Sequence, residues 1–372
     1  MKFSCDKATL QSAISTTARA VATKSSIAAL GGLLLKCEGE RLTVCGYNLT
    51  VGIHIVIPVD GEEDGALVLD AGLFGGIVSK MPDDIVTLST GEKSRTKLTC
   101  GNAAFEISSL DAEEYPELPQ VEENGGVELP EKTLRSMIQQ TSYAIGTNEA
   151  HPAQTGALFE ATANELTVVA CDGYRVALRR EAISRAGDAL EFIVPGVALR
   201  EVEKICADAE QAARITIGNR HIRFGIGETE VITRRLDGQF VDYKKAISLS
   251  NPTTLTVAPR GLLESLERVT VVVNDKMKAP IRCRFGAGSV ALSADTGVGA
   301  ARDVCRYDGD GGDVEIGFNG RYLAEAMKYA PADKVKFQIS TPTSPGIIVP
   351  ADGGDSFLYM VLPVKLKTKA QP

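Results

Sequence analysis

Nucleophiles and metal ligands are the first residues to weigh. The chain has three isolated histidines, His54, His151 and His221, and eight cysteines at positions 5, 37, 45, 100, 171, 206, 283 and 305. No Cys-x-x-Cys pair and no Cys/His cluster at metal-ligand spacing occurs. The scattered thiols read as reduced, mostly buried side chains of an intracellular protein rather than a disulfide framework. Asp172 beside Gly173 offers a carboxylate, yet an Asp-Gly pair is explained more simply as a turn. A Walker-type loop ending in Lys-Ser/Thr, a His-Glu-x-x-His helix and a Gly-x-Ser-x-Gly elbow are all absent. The stretch Asp308-Gly-Asp-Gly-Gly-Asp313 lacks EF-hand spacing and reads as a flexible loop. The sequence therefore points to no catalytic residue, no metal and no cofactor.

Cations offer a different chemistry. Lys7 and Arg19, Lys132 and Arg135, and Arg260 and Arg268 fall off the apolar stripes of three expected helices. Lys24, Lys276 and Lys278 follow just beyond helix ends. Lys80, Arg200, Lys204, Arg321 and Lys328 belong to a second set of helices. With 40 basic against 48 acidic residues the formal charge is −8, which argues against coating nucleic acid with the whole surface. A basic helical face on an acidic protein suits phosphate contact without base reading, since nothing resembles a recognition helix.

These residues are positioned by elements that recur. Gly156 to Leu178 reads as a strand, a polar turn at 162–165, a strand, an Asp-Gly turn and more strand. Similar runs begin at Gly32 and Pro280, spaced by roughly 125 residues, and a period of that kind fixes the architecture. Before each hairpin a short strand leads into a helix. Leu10, Ile14, Thr17 and Val21 mark the apolar face of the first, Leu134, Ile138, Thr141 and Ile145 of the second, and Leu262, Leu266, Val269 and Val273 of the third. Second helices are expected at 70–81, 195–207 and 319–330. Gly72, Gly75 and Gly76 weaken the first of these, at about 1 kcal/mol each. Alternating strands follow, at 85–88 and 97–100, then 214–217 and 221–224, then 334–339. The fold class is α+β, with three similar modules of two helices on β-sheet at 1–123, 124–250 and 251–372, joined by linkers at 117–125 and 244–252. Hydrophobic content of 44% suffices for three aliphatic cores. The N-terminus does not read as a signal peptide and no apolar run reaches membrane-span length, which leads to the expectation of a soluble cytoplasmic protein.

Several motifs resemble those of the bacterial DNA polymerase III beta subunits, the sliding clamps. They are Cys171-Asp-Gly-Tyr-Arg-Val176, Leu236-Asp-Gly-Gln-Phe240, Glu315-Ile-Gly-Phe-Asn-Gly-Arg-Tyr322 and Met360-Val-Leu-Pro-Val-Lys-Leu366. The opening Met1-Lys-Phe3 and Leu30-Gly-Gly-Leu-Leu-Leu35 are similar too. The likeness extends over nearly the whole chain, in order and in spacing. It implies a non-enzymatic, nucleoid-associated ring: a head-to-tail homodimer of DNA-clamp modules, six per ring, closed around double-stranded DNA without sequence preference. Helices would line the hole, with Lys24, Lys80, Arg135, Arg200, Lys204, Lys276, Lys278 and Arg321 facing DNA.

The resemblance further implies a pocket between the second and third modules for peptides of the DNA polymerase III alpha subunit, the clamp loader, and other polymerases and repair proteins. Gly173, Tyr174, Arg175 and Val176 would form one wall, with Val241, Lys245 and Ala246 below. Asn319, Tyr322, Met360, Val361, Leu362, Pro363 and Val364 would form the other. Phe105 of one chain would meet Val271 and Val272 of the next at the ring closure. Gln154, Val241 and Lys245 stand where the family often has leucine, proline and arginine, which bears on the preferred peptide. Two competing classes are a protein-binding repeat scaffold that does not hold DNA and a hydrolase using Asp172 or another carboxylate.

Overall fold

A computed structural model describes residues 1–91, 94–247, 252–273 and 279–366. By contact density the chain forms two compact units, Met1–Arg135 with Val197–Arg235, and Ser136–Gly196 with Leu236–Pro372. Seven α-helices occur among the described residues: α1 (Lys7–Thr17), α2 (Ala71–Lys80), α3 (Glu131–Ser142), α4 (Gly196–Ile205), α5 (Tyr243–Ile247), α6 (Pro259–Thr270) and α7 (Gly320–Lys328).

In the first repeat, two strands feed directly into helices through an aspartate at the junction. Asp6 ends a strand and its carboxylate accepts from the Thr9 N–H at 3.0 Å, while Asp70 does the same for Leu73 at 2.8 Å. Such caps satisfy N–H groups that the first helical turn leaves without partners. One antiparallel sheet runs in the order Asp60–Glu63, Lys2–Asp6, Ile85–Thr90, Arg95–Cys100, Ala103–Ser108. A second has nine strands, and in its middle Val51–Pro58 pairs with Thr229–Arg234, from Ile55↔Thr229 to Val51↔Thr233. That pairing continues one sheet from the first repeat into the second. Phe3, Leu10, Ile14, Leu33, Leu69, Phe74 and Leu88 are buried together in an aliphatic core with few rings.

The second unit is built on a ten-stranded sheet ordered Leu190–Pro195, Gly156–Ala161, Glu165–Cys171, Arg175–Ala182, Phe357–Val361, Gly346–Pro350, Val335–Ile339, Thr253–Val257, Gly299–Phe318, Ile281–Thr296. Here Arg175–Arg179 pairs antiparallel with Phe357–Val361, which continues the second repeat into the third.

Several expectations need correction. In all three first helices the fourth residue of the apolar run lies past the end, since α1 stops at Thr17, α3 at Ser142 and α6 at Thr270. Val21, Ile145 and Val273 thus belong to the segments that leave the helices, and Val21 still packs on the core from there. The run 308–313 is not a loop. It continues the strand Gly299–Phe318, with register shifts in the facing strand at Phe285/Ala287 and Ala287/Ser289. Gly309 and Gly312, at φ +128° and +64°, let the backbone bulge without leaving the ladder. The linker expected at 244–252 begins as helix: α5 holds Tyr243 buried against the Glu160 carboxylate, while residues 248–251 lie outside the described part. Strands Val51–Pro58, Gly65–Asp70, Thr229–Arg234 and Gly346–Pro350 add to those expected.

Candidate functional site

The Asp172 turn shows what that carboxylate does. Its Oδ1 accepts from the main-chain N–H groups of Tyr174 at 2.9 Å and Arg175 at 3.1 Å, and its Oδ2 from Arg175 Nε at 2.9 Å. Gly173 sits at φ +88°, which a side chain would resist. Asp172 is therefore committed to the turn.

The turn folds Arg175 inward, to 5% exposure. Its guanidinium also donates to Glu325 Oε2 and to the Tyr143 carbonyl oxygen. It lies 4.3 Å from the centre of the Tyr322 ring and 5.2 Å from that of Tyr143, in cation–π geometry. A buried charge with this many partners is compensated. The same turn drives Tyr174 outward, 63% exposed, with its ring stacked on Tyr322 at 6.4 Å. Arg175 is thus the support beneath the aromatic pair rather than an open wall.

The segment after Phe357–Val361 runs alongside. Leu362 N–H donates to the Tyr174 carbonyl at 2.9 Å, and Val364 N–H to that of Gly317 at 2.7 Å. Pro363 bridges to Phe318. Val176 and Met360 are directly paired across the sheet and share an apolar cluster with Leu158, Ile347, Phe240 and Tyr243, on which Ala246 and Leu362 are half-buried. Val361 is buried in the sheet. Asn319 caps α7, accepting from Arg321 and Tyr322 N–H at 3.0 and 3.3 Å. Val241 is exposed, and Lys245, 88% exposed at its side chain, pairs with Asp242 at 2.8 Å. Accessible apolar and aromatic surface thus comes from Tyr174, Tyr322, Leu362, Ala246 and Val241, over a floor of Val176 and Met360. Chemically, such a surface takes apolar side chains.

Sequence reasoning missed Tyr143 and Glu325. The Asp172–Arg175 spacing, three residues apart, was a usable signal for a turn clamp. Glu325 is 150 residues from Arg175, and no local pattern connects them.

The cations divide into two groups. On the first helices Lys7 pairs with Asp83 at 2.8 Å, Arg260 with Glu264 at 3.1 Å, Arg268 with Asp303 at 2.5 Å, and Lys132 with Glu210. Arg19 and Arg200, by contrast, are exposed and flank a cleft of about 280 Å3 with Glu201. Lys24 and Lys80 are exposed, and Arg135 is half-buried with its Nε unpartnered. Lys204 pairs with Glu201 at 2.9 Å and Arg321 with Glu325 at 3.1 Å. Lys276 and Lys278 lie outside the described residues. Of the three apolar residues assigned to ring closure, Phe105 is 37% and Val271 83% exposed, and Val272 is half-buried with its carbonyl accepting from Thr296.

All eight cysteines are free and buried. Loss of solvation pushes the thiols of Cys5, Cys45 and Cys206 up to about 12, so thiolate chemistry is closed to them at neutral pH. Among the described residues no cluster of three metal-ligating side chains occurs, and no helix is long and apolar enough to cross a membrane.

Three repeats of helices packed on antiparallel sheet define the DNA-clamp class of fold. Models of the N-terminal, central and C-terminal domains of the DNA polymerase III beta subunit match residues 1–119, 128–242 and 244–365. The chain belongs to the DNA polymerase III beta-subunit family, whose members are non-catalytic processivity subunits. The beta sliding clamp of Staphylococcus aureus is 28% identical over 375 residues, covering 98% of this chain and 99% of that one. An Eubacterium rectale structure described as a DNA polymerase III beta subunit is 30% identical, with TM-score 0.93 over 99% of this chain and 100% of that one. The Bacillus subtilis DNA polymerase sliding clamp is 25% identical, with TM-score 0.94 over 99% and 100%.

Proposed function

We propose that two copies of this chain close head to tail into a ring around duplex DNA, slide without sequence preference, and tether the replicative polymerase. The observation that carries this reading is a pair of unlike sheet ends. Ala103–Ser108 is the last strand of its five-stranded sheet and Ile281–Thr296 the last of its ten-stranded sheet. An unpaired strand edge invites pairing, and exposed Phe105 and Val271 provide apolar surface for the same contact. Joining two different ends is a heterologous contact, which gives a ring when the rotation closes.

Within the ring, weak phosphate contacts from Lys24, Lys80, Arg135, Arg200, Lys204, Lys276, Lys278 and Arg321 permit sliding, and closure prevents loss. The Tyr174–Leu362 surface receives short segments of the DNA polymerase III alpha subunit, the clamp loader, and other polymerases and repair proteins, seating apolar side chains over Val176 and Met360. With modules taken as 1–123, 124–250 and 251–372, this reading sets the pocket between the second and third. Negative-stain images of the purified protein test the assembly: rings with a central hole are expected, and compact particles without one would contradict it.

A further inference from the structure

Glu325 divides its carboxylate between two arginines of different character. Oε1 accepts from Arg321 Nε at 3.1 Å, at a side chain 68% exposed, and Oε2 from buried Arg175. The outer pair is exposed, screened by salt and exchangeable, whereas the inner one is desolvated and held. A groove of about 490 Å3 between α6 and α7, lined by Leu263, Glu267, Arg321, Glu325 and Lys328, gives an external anion access to Arg321, with Lys328 as a second cation beside it.

We propose that Glu325 couples the peptide pocket to the phosphates of duplex DNA, through the arginines it shares. This deepens the function proposed above and rests on its assignments of pocket and DNA face. Arg175 is fixed by Asp172, by the Tyr143 carbonyl and by Glu325, and its guanidinium underlies the Tyr322 ring on which Tyr174 stacks. Without DNA, the Glu325 charge is split between two guanidiniums. A phosphate that takes Arg321 leaves that charge to Arg175 alone, which tightens the support of the aromatic pair. The bound duplex therefore raises peptide affinity, and by reciprocity bound peptide raises DNA affinity by the same factor.

The test is fluorescence anisotropy of a labelled peptide from the polymerase alpha subunit on the intact protein, alone and with saturating short duplex DNA at low salt. The wild type is expected to bind the peptide about fivefold more tightly with duplex, at the low end of common couplings. Arg321→Ala, an exposed site that leaves the fold intact, is expected to bind tightly from the start and to change less than about twofold with duplex. Glu325→Gln is expected to bind weakly and not to respond. An unchanged wild-type affinity, or an equal response from Arg321→Ala, would overturn the coupling while leaving the pocket in place. An equal response to inorganic phosphate at matched ionic strength would overturn the assignment to duplex. Absence of peptide binding to the wild type under every condition would instead remove the pocket reading itself.

Discussion

The main-chain N–H of Leu362 donates to the carbonyl oxygen of Tyr174 at 2.9 Å, one rung beyond the pairing of Val361 with Arg175. This bond holds the last residue before Pro363 against the turn that exposes the Tyr174 ring. It uses main-chain atoms only, so both side chains stay available for a ligand. A strand end and a turn from distant parts of the chain become one surface in this way.

Tyr174→Ala removes the exposed ring and leaves that bond intact. Peptide affinity is expected to fall about tenfold, or about 1.4 kcal/mol, while thermal unfolding is unchanged. Titration of a labelled peptide together with a melting curve checks both. Deleting 360–366 is a poorer test, since Met360 and Val361 are buried in the sheet and their loss would disturb the fold. Unchanged affinity in the Tyr174 variant would remove the aromatic pair from the binding surface.

Phe105→Glu and Val271→Glu each place a charge on one half of the proposed ring closure. Both native side chains are accessible in the isolated chain, so the fold should tolerate either change. Sedimentation at micromolar protein is expected to show a dimer for the wild type and a shift to monomer for each variant. A monomeric wild type, or dimeric variants, would contradict the interface.

His54 predicts a pH dependence. It faces Glu230 across the Val51–Pro58 and Thr229–Arg234 pairing, 3.4 Å from its carboxylate. Burial lowers its pKa, Glu230 opposes this, and Arg223 adds to the lowering. The net shift is downward, so in acid the unfolded chain binds the proton first. Stability from this site is complete above the ordinary value of about 6.5 and is lost as pH falls through the lower folded value. Urea unfolding at falling pH is expected to show a shallower acid loss for His54→Gln than for the wild type. Parallel losses would show that His54 does not contribute.

Much of this arrangement is legible in local pattern. The apolar faces of α1, α3 and α6 follow from residues four, three and four apart, and the Asn319 cap from its place before α7. The overshoot at Val21, Ile145 and Val273 arises because periodicity marks apolar faces but not the point where hydrogen bonding stops. Asp308 to Asp313 looks like a loop because glycines and carboxylates seldom fill strands. There the ladder is kept by pairing with Ile281–Thr296, a tertiary effect. The Arg175–Glu325 contact had no sequence signature, since only the joining of strands Arg175–Ala182 and Phe357–Val361 brings α7 to the turn. The proposed pocket follows from family resemblance alone, whereas the exposure of Tyr174 follows from the buried arginine beneath it. The ion pairs of Lys7, Lys132 and Arg268 were likewise hidden, because their acidic partners lie on other elements, whereas Arg260 and Glu264 are four apart on α6.

The central claim is that topology, rather than affinity, holds this protein on DNA. The direct measurement is retention of the protein on a nicked circular plasmid after assembly with its clamp loader, washed at high salt, before and after the plasmid is cut once. Salt screens the phosphate contacts, so only closure can hold the ring in place. The account predicts that the protein stays on the circle and is lost when the plasmid is linearised. Equal retention on both forms, or loss from both, would contradict it.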